Sequence, residues 1–396
     1  MTYEDTYQPL PAQLIIKYTS QPQSIQNGIN IIDTKLDIDG LVLAPMVRAG
    51  ELPTRLLALK HGADLVWSPE IIDIKLIQTE RVENLTLHTV DYITKNHSNN
   101  VVVFRTLPRI ESGKLIFQIG SNNVENAIKA ALKIVNDVDG IDLNCGCPKH
   151  FSIHSGMGAA LLSTPDLLCD ILTGLVTKVG KPFGKPISCK IRILDSLEDT
   201  EKLVKRICAT GIKNLTVHCR TREMRNRDAP RWEYLKRIED ICCQNNVSLI
   251  MNGKLKDKEH FINTRKALGL PDTVGGMIAD SAESNPSVFN DKPITWMKII
   301  KEYLEIATKM DNNFGNTKYM LSRIIPGKKK MYQYITRCKN YDELNYIVSQ
   351  MDETTGECNK DTDPLEHIEQ MRNTKKRNAS QIDTIDDQSS SSKKQK

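Results

Sequence analysis

Residues 140–158 read GIDLNCGCPKHFSIHSGMG. A run suited to a buried strand, Val138 to Leu143, feeds directly into Asn144-Cys145-Gly146-Cys147-Pro148, and a loop containing Gly156 and Gly158 follows. The junction sets a carboxamide and a thiol at the carboxyl end of a strand, beside backbone that glycine leaves free to approach a ligand. Parallel α/β proteins keep their chemistry at such strand ends.

The same alternation of a short apolar run and a helical pattern recurs on both sides. Upstream, Leu41–Val47 precedes a helical Thr54–His61, Ala63–Ser68 precedes Ile71–Ile77, and Leu115–Gly120 precedes Val124–Val135. Downstream, the glycine loop leads into Leu167–Val179. Then come Ile187–Ile193 with Leu197–Ala209, Asn214–Cys219 with Trp232–Cys243, Ser248–Met251 with Lys258–Leu268, and finally Gly275–Ala279. Eight such units over 41–288 predict a (β/α)8 TIM barrel. Their nearly continuous apolar strands predict a sheet covered on both faces. An open doubly wound sheet competes, but the first strand lacks the G-x-G-x-x-G that a dinucleotide-binding first unit needs. Glu83 to Arg109 is extra, and Val101–Phe104 suits an added hairpin strand.

The flanks differ in character. Residues 1–40 read as a polar leader with a short ribbon. Residues 289–350 turn purely helical, through Trp296–Ile306, Lys318–Ile325, Tyr332–Lys339 and Leu344–Val348, with a basic surface that includes Lys328, Lys329 and Lys330. In 351–396 apolar residues thin out, which predicts a disordered tail.

At 396 residues and 39% apolar, the chain can bury a full-sized core, and a net charge of +5 announces no nucleic-acid binder by itself. Ten irregularly spaced cysteines, two of them adjacent, argue against a disulfide framework. The expectation is a cytoplasmic monomer, with neither a secretory nor a transit signal in MTYEDTYQPL and no apolar run of the ~20 residues that a membrane span needs. Lys375-Lys-Arg377 and Lys393-Lys394 admit a nuclear pool, or are simply solvated charge, and a mitochondrial pool is left open.

Most of the other strands also end in polar groups: Gln118, Lys190 and Arg192, His218 and Arg220, and Asn252-Gly253-Lys254. A lysine within Ile-Ser-Cys-Lys-Ile-Arg-Ile is costly to bury unless something anionic or electron-rich meets it. For any one of these side chains a salt bridge inside the barrel explains as much. Their convergence on one mouth argues for a site. Asn252-Gly253-Lys254 and Gly275-Gly276 to Ala279 have the layout of a barrel phosphate site, although a tight turn also explains Gly275-Gly276. Arg220, Arg222, Arg225 and Arg227 crowd one loop, as a solvated face or as a grip on a phosphate backbone. Cys145-x-Cys147 alone is a weak zinc signal, and no metal is expected.

Leu43-Ala-Pro-Met-Val47, Phe117-Gln-Ile-Gly120, Asp142-Leu-Asn-Cys-Gly-Cys-Pro148, Ser155-Gly-Met-Gly-Ala-Ala-Leu-Leu162, Cys189-Lys-Ile-Arg192, Val217-His-Cys-Arg-Thr-Arg222 and Met251-Asn-Gly253 resemble, in order and spacing, the flavin-dependent tRNA-dihydrouridine synthases. Asn316-Thr-Lys-Tyr-Met320 is similar to that family's helical domain. His150-Phe-Ser-Ile-His-Ser155 and Arg222-Glu-Met-Arg225 resemble the eukaryotic branch acting at position 20 of the D-loop. The resemblance implies a tRNA partner, FMN and a nicotinamide reductant, NADPH or NADH. It implies that Pro45 and Met46 lie against the flavin, that Gln118, Lys190 and His218 contact it, and that Asn252 and Gly253 hold its phosphate, with Gly276, Ala279 and Asp280 beside them. Asn144 and Arg192 would orient the uracil, Cys147 would be the general acid, and Arg220, Arg222, Arg225 and Lys328 to Lys330 would hold the tRNA. One departure stands out: where the family carries an arginine after the eighth strand, this chain has Ile278-Ala-Asp280-Ser-Ala282, and Asp280 is expected to turn away from the phosphate. Two other readings remain: a barrel reductase of a free pyrimidine-like molecule, and a non-catalytic tRNA-binding protein. A basic helical domain argues against the first, and bound flavin would exclude the second.

Overall fold

The computed structural model describes residues 40–95, 100–327, 329–358 and 363–374. The expected leader in 1–40, apart from Gly40, lies outside the described residues, as do Lys328 and residues 375–396 with their two lysine clusters. Eight strands form the centre: β1 (Leu41–Leu43), β2 (Leu65–Trp67), β3 (Leu115–Gly120), β4 (Gly140–Cys145), β5 (Ile187–Arg192), β6 (Asn214–His218), β7 (Ser248–Asn252) and β8 (Gly275–Ile278). Each pairs in parallel with the next and β8 pairs with β1, so the ring closes and leaves no edge.

Helices alternate with the strands: α1 (Leu52–Lys60), α2 (Asp73–Ile77), α3 (Val124–Ile134), α4 (Pro165–Leu175), α5 (Leu197–Ala209), α6 (Leu235–Gln244), α7 (Lys258–Ala267) and α8 (Asp280–Ser284). Local chemistry starts them. Asn123, Ser196 and Asp257 cap α3, α5 and α7, each side chain accepting the backbone N–H three residues on. Pro53 and Pro165 sit in the first turns of α1 and α4, where a missing N–H costs nothing.

The strands are not continuously apolar as expected. In β4, β5 and β6 the residues facing the helices, including Leu143, Ile191 and Val217, join the main apolar core. The alternate residues face the barrel interior and are polar: Asp142, Ser188, Asn214 and Thr216 are all buried. Asp142 survives there because Ser188 Oγ donates to it at 2.6 Å and Gln118 Nε2 at 2.7 Å. The opposite half of the interior is an apolar plug of Val42, Ala44, Trp67, Ile116, Ile250 and Met277.

The insert after α2 is larger than the single hairpin strand expected. Glu80–Asn84, Thr89–Lys95 and Asn100–Thr106 form a three-stranded antiparallel sheet. Its last strand leads to Glu111, which pairs with Arg55 on α1 at 2.6 Å with both side chains at 1% exposure or less.

Beyond the barrel lie α9 (Trp296–Lys309), α10 (Phe314–Ile324), α11 (Lys330–Arg337) and α12 (Tyr341–Ser349). They share one apolar core with Ala49, Leu52, Leu56, Leu57 and Leu107 of the barrel, so the helical part is docked, not tethered. Order continues beyond 351, further than the sparse apolar content predicts. Residues 364–374 are helical, Ile368 is buried in that core, and Arg372 Nη2 pairs with Glu343 at 2.7 Å.

Candidate active site

A cavity of ≈ 340 Å³ opens at the carboxyl ends of the strands. Its wall carries Pro45, Met46, Gln118, Asn144, Cys147, Lys190, Arg192, His218, Ala279 and Asp280, so residues dispersed over more than 230 positions of sequence meet at one mouth.

The β4 end is shaped by its own side chain. Asn144 Oδ1 accepts from the backbone N–H of Gly146 and of Cys147, both at 3.0 Å, which folds the chain back and presents the thiol. Arg192 braces the same turn, donating from Nε to the Gly146 carbonyl at 2.8 Å and from Nη1 to the Thr221 carbonyl at 2.9 Å. Gly158 is required at the far side. Its φ is +59°, and a Cβ there would come within 2.4 Å of Ser152 Oγ and 2.8 Å of the Cys147 carbonyl. Burial pushes the Cys147 thiol up, and the nearby Glu70 carboxylate adds to this, so the thiol keeps its proton near neutrality. Cys145 faces the helices, buried, and is core.

Lys190 reaches the same mouth from β5. Burial, reinforced by Arg192, lowers its ammonium to about 8, and Asp142 opposes the shift. Its ammonium has no ion-pair or hydrogen-bond partner among the described residues, so the salt-bridge alternative does not hold for it. His218 on β6 is pushed well down by burial and by the charges of Lys190, Arg192 and Arg220. It is neutral at pH 7. Because Arg220 Nη1 donates to His218 Nε2 at 3.1 Å, the ring proton resides on Nδ1.

Several expected contacts are placed differently. Arg220 is buried and spent within its loop: besides His218 it donates to the carbonyls of Asp228 and Asn226, at 2.8 and 3.1 Å. It shapes the loop and is not free to take a phosphate. Arg222, 3.4 Å from Glu223, and the exposed Arg225 remain at the rim. Gly276 is a packing glycine, not a phosphate ligand. Its N–H donates to Gly40, and a Cβ would stand 2.5 Å from the Phe261 ring of α7. The Asn252 side chain donates to the Met277 carbonyl at 2.8 Å and ties β7 to β8. Gly253, with φ +124°, is buried, and a Cβ there would stand 3.1 Å from the His218 ring. Asp280 lines the cavity and accepts from Asn226 Nδ2 at 3.1 Å. Lys329 and the exposed Lys330 begin α11 and line no part of the cavity.

Among the wall residues not anticipated are Glu70 and Tyr319. Glu70 follows β2. Tyr319 reaches the mouth from α10, hydrogen-bonds Glu283 at 2.6 Å and stacks under Arg48, whose guanidinium carbon is 4.1 Å from the ring centre. The helical part thus completes the wall of the cavity. Among the described residues no group of three or more His, Cys, Asp or Glu side chains is placed to hold a metal ion, and no helix is long and apolar enough to cross a membrane.

Residues 42–376 match the family model described as "Dihydrouridine synthase (Dus)". The chain is 56% identical over 341 residues to the tRNA-dihydrouridine(20) synthase [NAD(P)+] of Saccharomyces cerevisiae, covering 84% of this chain and 88% of that one. Its identity to the Schizosaccharomyces pombe protein of the same name is 47% over 308 residues, covering 76% of this chain and 63% of that one. Among solved structures, morphinone reductase aligns at a TM-score of 0.40 and 12% identity, over 63% of this chain and 84% of that one. With a family match over most of its length and a mouth assembled from the very motifs that suggested it, this chain belongs to the dihydrouridine synthase family.

Proposed function

We propose that the protein reduces the C5=C6 bond of a uridine in the D-loop of tRNA, at position 20, to 5,6-dihydrouridine, using FMN and a nicotinamide reductant, NADPH or NADH. The observation that carries this reading is a protonated thiol, an unpaired lysine and a neutral histidine around one cavity whose wall is shared with a helical domain. The position is supported by the two yeast relatives, both tRNA-dihydrouridine(20) synthases.

The mouth fits FMN. An ammonium without a protein partner suits the electron-rich edge of the flavin, and Gln118 keeps an Oε1 acceptor once its amide is given to Asp142. Lys190, Gln118, His218, Pro45 and Met46 would hold the ring system. When bound, FMN supplies the hydride to one carbon of the uracil double bond.

The chain's own residues do the rest. Cys147 holds a proton on Sγ for the other carbon. Asn144 keeps that thiol in place, and Arg192 retains Nη2 for the uracil. A base can enter only after leaving its stack, and Tyr319 with Arg48 offers the emerging nucleotide an aromatic and cationic wall. A free pyrimidine needs no such wall, which favours tRNA over the small-molecule alternative.

Purified protein is expected to be yellow, to bleach with NADPH and to regain its colour when tRNA lacking dihydrouridine is added. Protein that is bleached but not recoloured by tRNA would remove this reading. Lys190→Met is expected to lower flavin occupancy roughly tenfold, the loss of one charge-assisted contact of about 1.5 kcal/mol or more, read from the visible absorbance of equally pure protein.

A further inference from the structure

Glu70 has no place in the chemistry described so far, yet it lies in the wall of the same cavity as Cys147. One carboxylate oxygen, Oε1, is buried and makes no hydrogen bond. The side chain lies across the end of β3, where a Cβ on Gly120 would come within 2.5 Å of Oε1, so a glycine there makes room for it. The Asn144 carboxamide faces the carboxyl, and with Oδ1 already accepting two backbone N–H groups, it is the Asn144 N–H side that is turned to Glu70. A buried oxygen left unmatched in a reaction cavity is costly to keep, and such costs are concentrated at functional sites.

We propose that Glu70 is a positioning residue for the general acid: through Asn144 it holds the Cys147 turn, and through its charge it fixes how tightly the thiol keeps its proton. This rests on Cys147 being the acid. The groups around Glu70 set the sign. Lys149 and Cys147 face it from the β4 loop, and across the cavity stand Lys190, Arg192, His218, Asp280 and Glu283. Burial pushes Glu70 up to about 7, with Asn144 and then Lys149 opposing. Below that pH the carboxyl is neutral and the thiol feels no repulsion from it. Above it the carboxylate raises the thiol further, so the acid stays protonated and ready in the range where it would otherwise begin to ionise.

The test reads the proton on Cys147 without tRNA or NADPH, so its failure is separate from any failure of the tRNA-reductase reading. The full-length flavoprotein is alkylated with iodoacetamide across about pH 6 to 10, from below the carboxyl into the range where the thiolate grows, and labelling of the Cys147 peptide is followed by mass spectrometry. In Glu70→Gln the thiolate appears at lower pH, and labelling near pH 8 rises roughly three- to tenfold. In the unaltered protein the labelling profile flattens as it passes about 7, so the proposal can be judged even if the variant folds poorly. A single smooth thiol titration in the unaltered protein overturns it. So does a Glu70→Gln profile unchanged or moved to higher pH, because a merely structural role would leave the midpoint where it was.

Discussion

Exchange of Cys147 for alanine is expected to slow the reoxidation of reduced protein by tRNA roughly 10²–10⁴-fold, the contribution of a positioned general acid. Reduction by NADPH should be unaffected, because the thiol is asked for a proton only when the uracil accepts the hydride. The magnitude depends on the thiol being both protonated and fixed. Burial and the Glu70 charge provide the first. The second comes from a turn tied at several points: two N–H groups on Asn144 Oδ1, Arg192 on the Gly146 carbonyl, and the Ala159 N–H on the Cys147 carbonyl at 3.0 Å. None of these ties uses the thiol, so all of them remain available to the alanine variant. Stopped-flow absorbance at the flavin band separates the two half-reactions, and equal slowing of both would mean that the variant had damaged the site instead of removing an acid.

Arg55→Met is expected to destabilise the protein by about 3–5 kcal/mol, the cost of leaving a buried charge without its partner. Arg55 donates to Glu111 through both Nε and Nη2, at 2.6 and 3.2 Å, to the Gly50 carbonyl at 2.9 Å and to the Arg105 carbonyl at 2.7 Å. Glu111 Oε2 in turn accepts from Thr106 Oγ1 at 2.7 Å and the Leu107 N–H at 3.0 Å. One guanidinium therefore joins α1, the loop after β1 and the end of the inserted sheet, directly under the docked helices. Urea denaturation is the measurement. The double variant Arg55→Met, Glu111→Gln is expected to recover much of the loss, since the penalty lies in the orphaned carboxylate and not in the missing cation.

The barrel and much of its mouth were legible in the sequence because both are written in strand periodicity. Lys190, Arg192, His218 and Asn144 stand out as polar residues at alternate, inward-facing positions at the ends of strands whose helix-facing residues are apolar. The same rule, applied to Trp67-Ser-Pro-Glu70 after β2, finds Glu70. Tyr319 is beyond any such rule, because only the docking of α10 on the barrel brings it to the cavity. Gly276 misled because a glycine pair reads the same whether the missing side chain would meet a ligand or, as here, the Phe261 ring. Arg220 misled in a related way: four arginines in one loop look equally free, and only the folded loop shows that one of them is consumed in holding it. The helix over 364–374 escaped because two apolar contacts, Leu365 and Ile368, suffice to seat it on a core built by other segments.

The most direct test of the central claim is the mass of the target nucleotide. Transcribed tRNA bearing uridine at position 20 is incubated with the protein and NADPH, digested, and mapped by mass spectrometry. The account predicts that this uridine gains two hydrogen atoms with the unaltered protein and not with Cys147→Ala. Protein that consumes NADPH in the presence of tRNA while every uridine of the D-loop keeps its mass would contradict it.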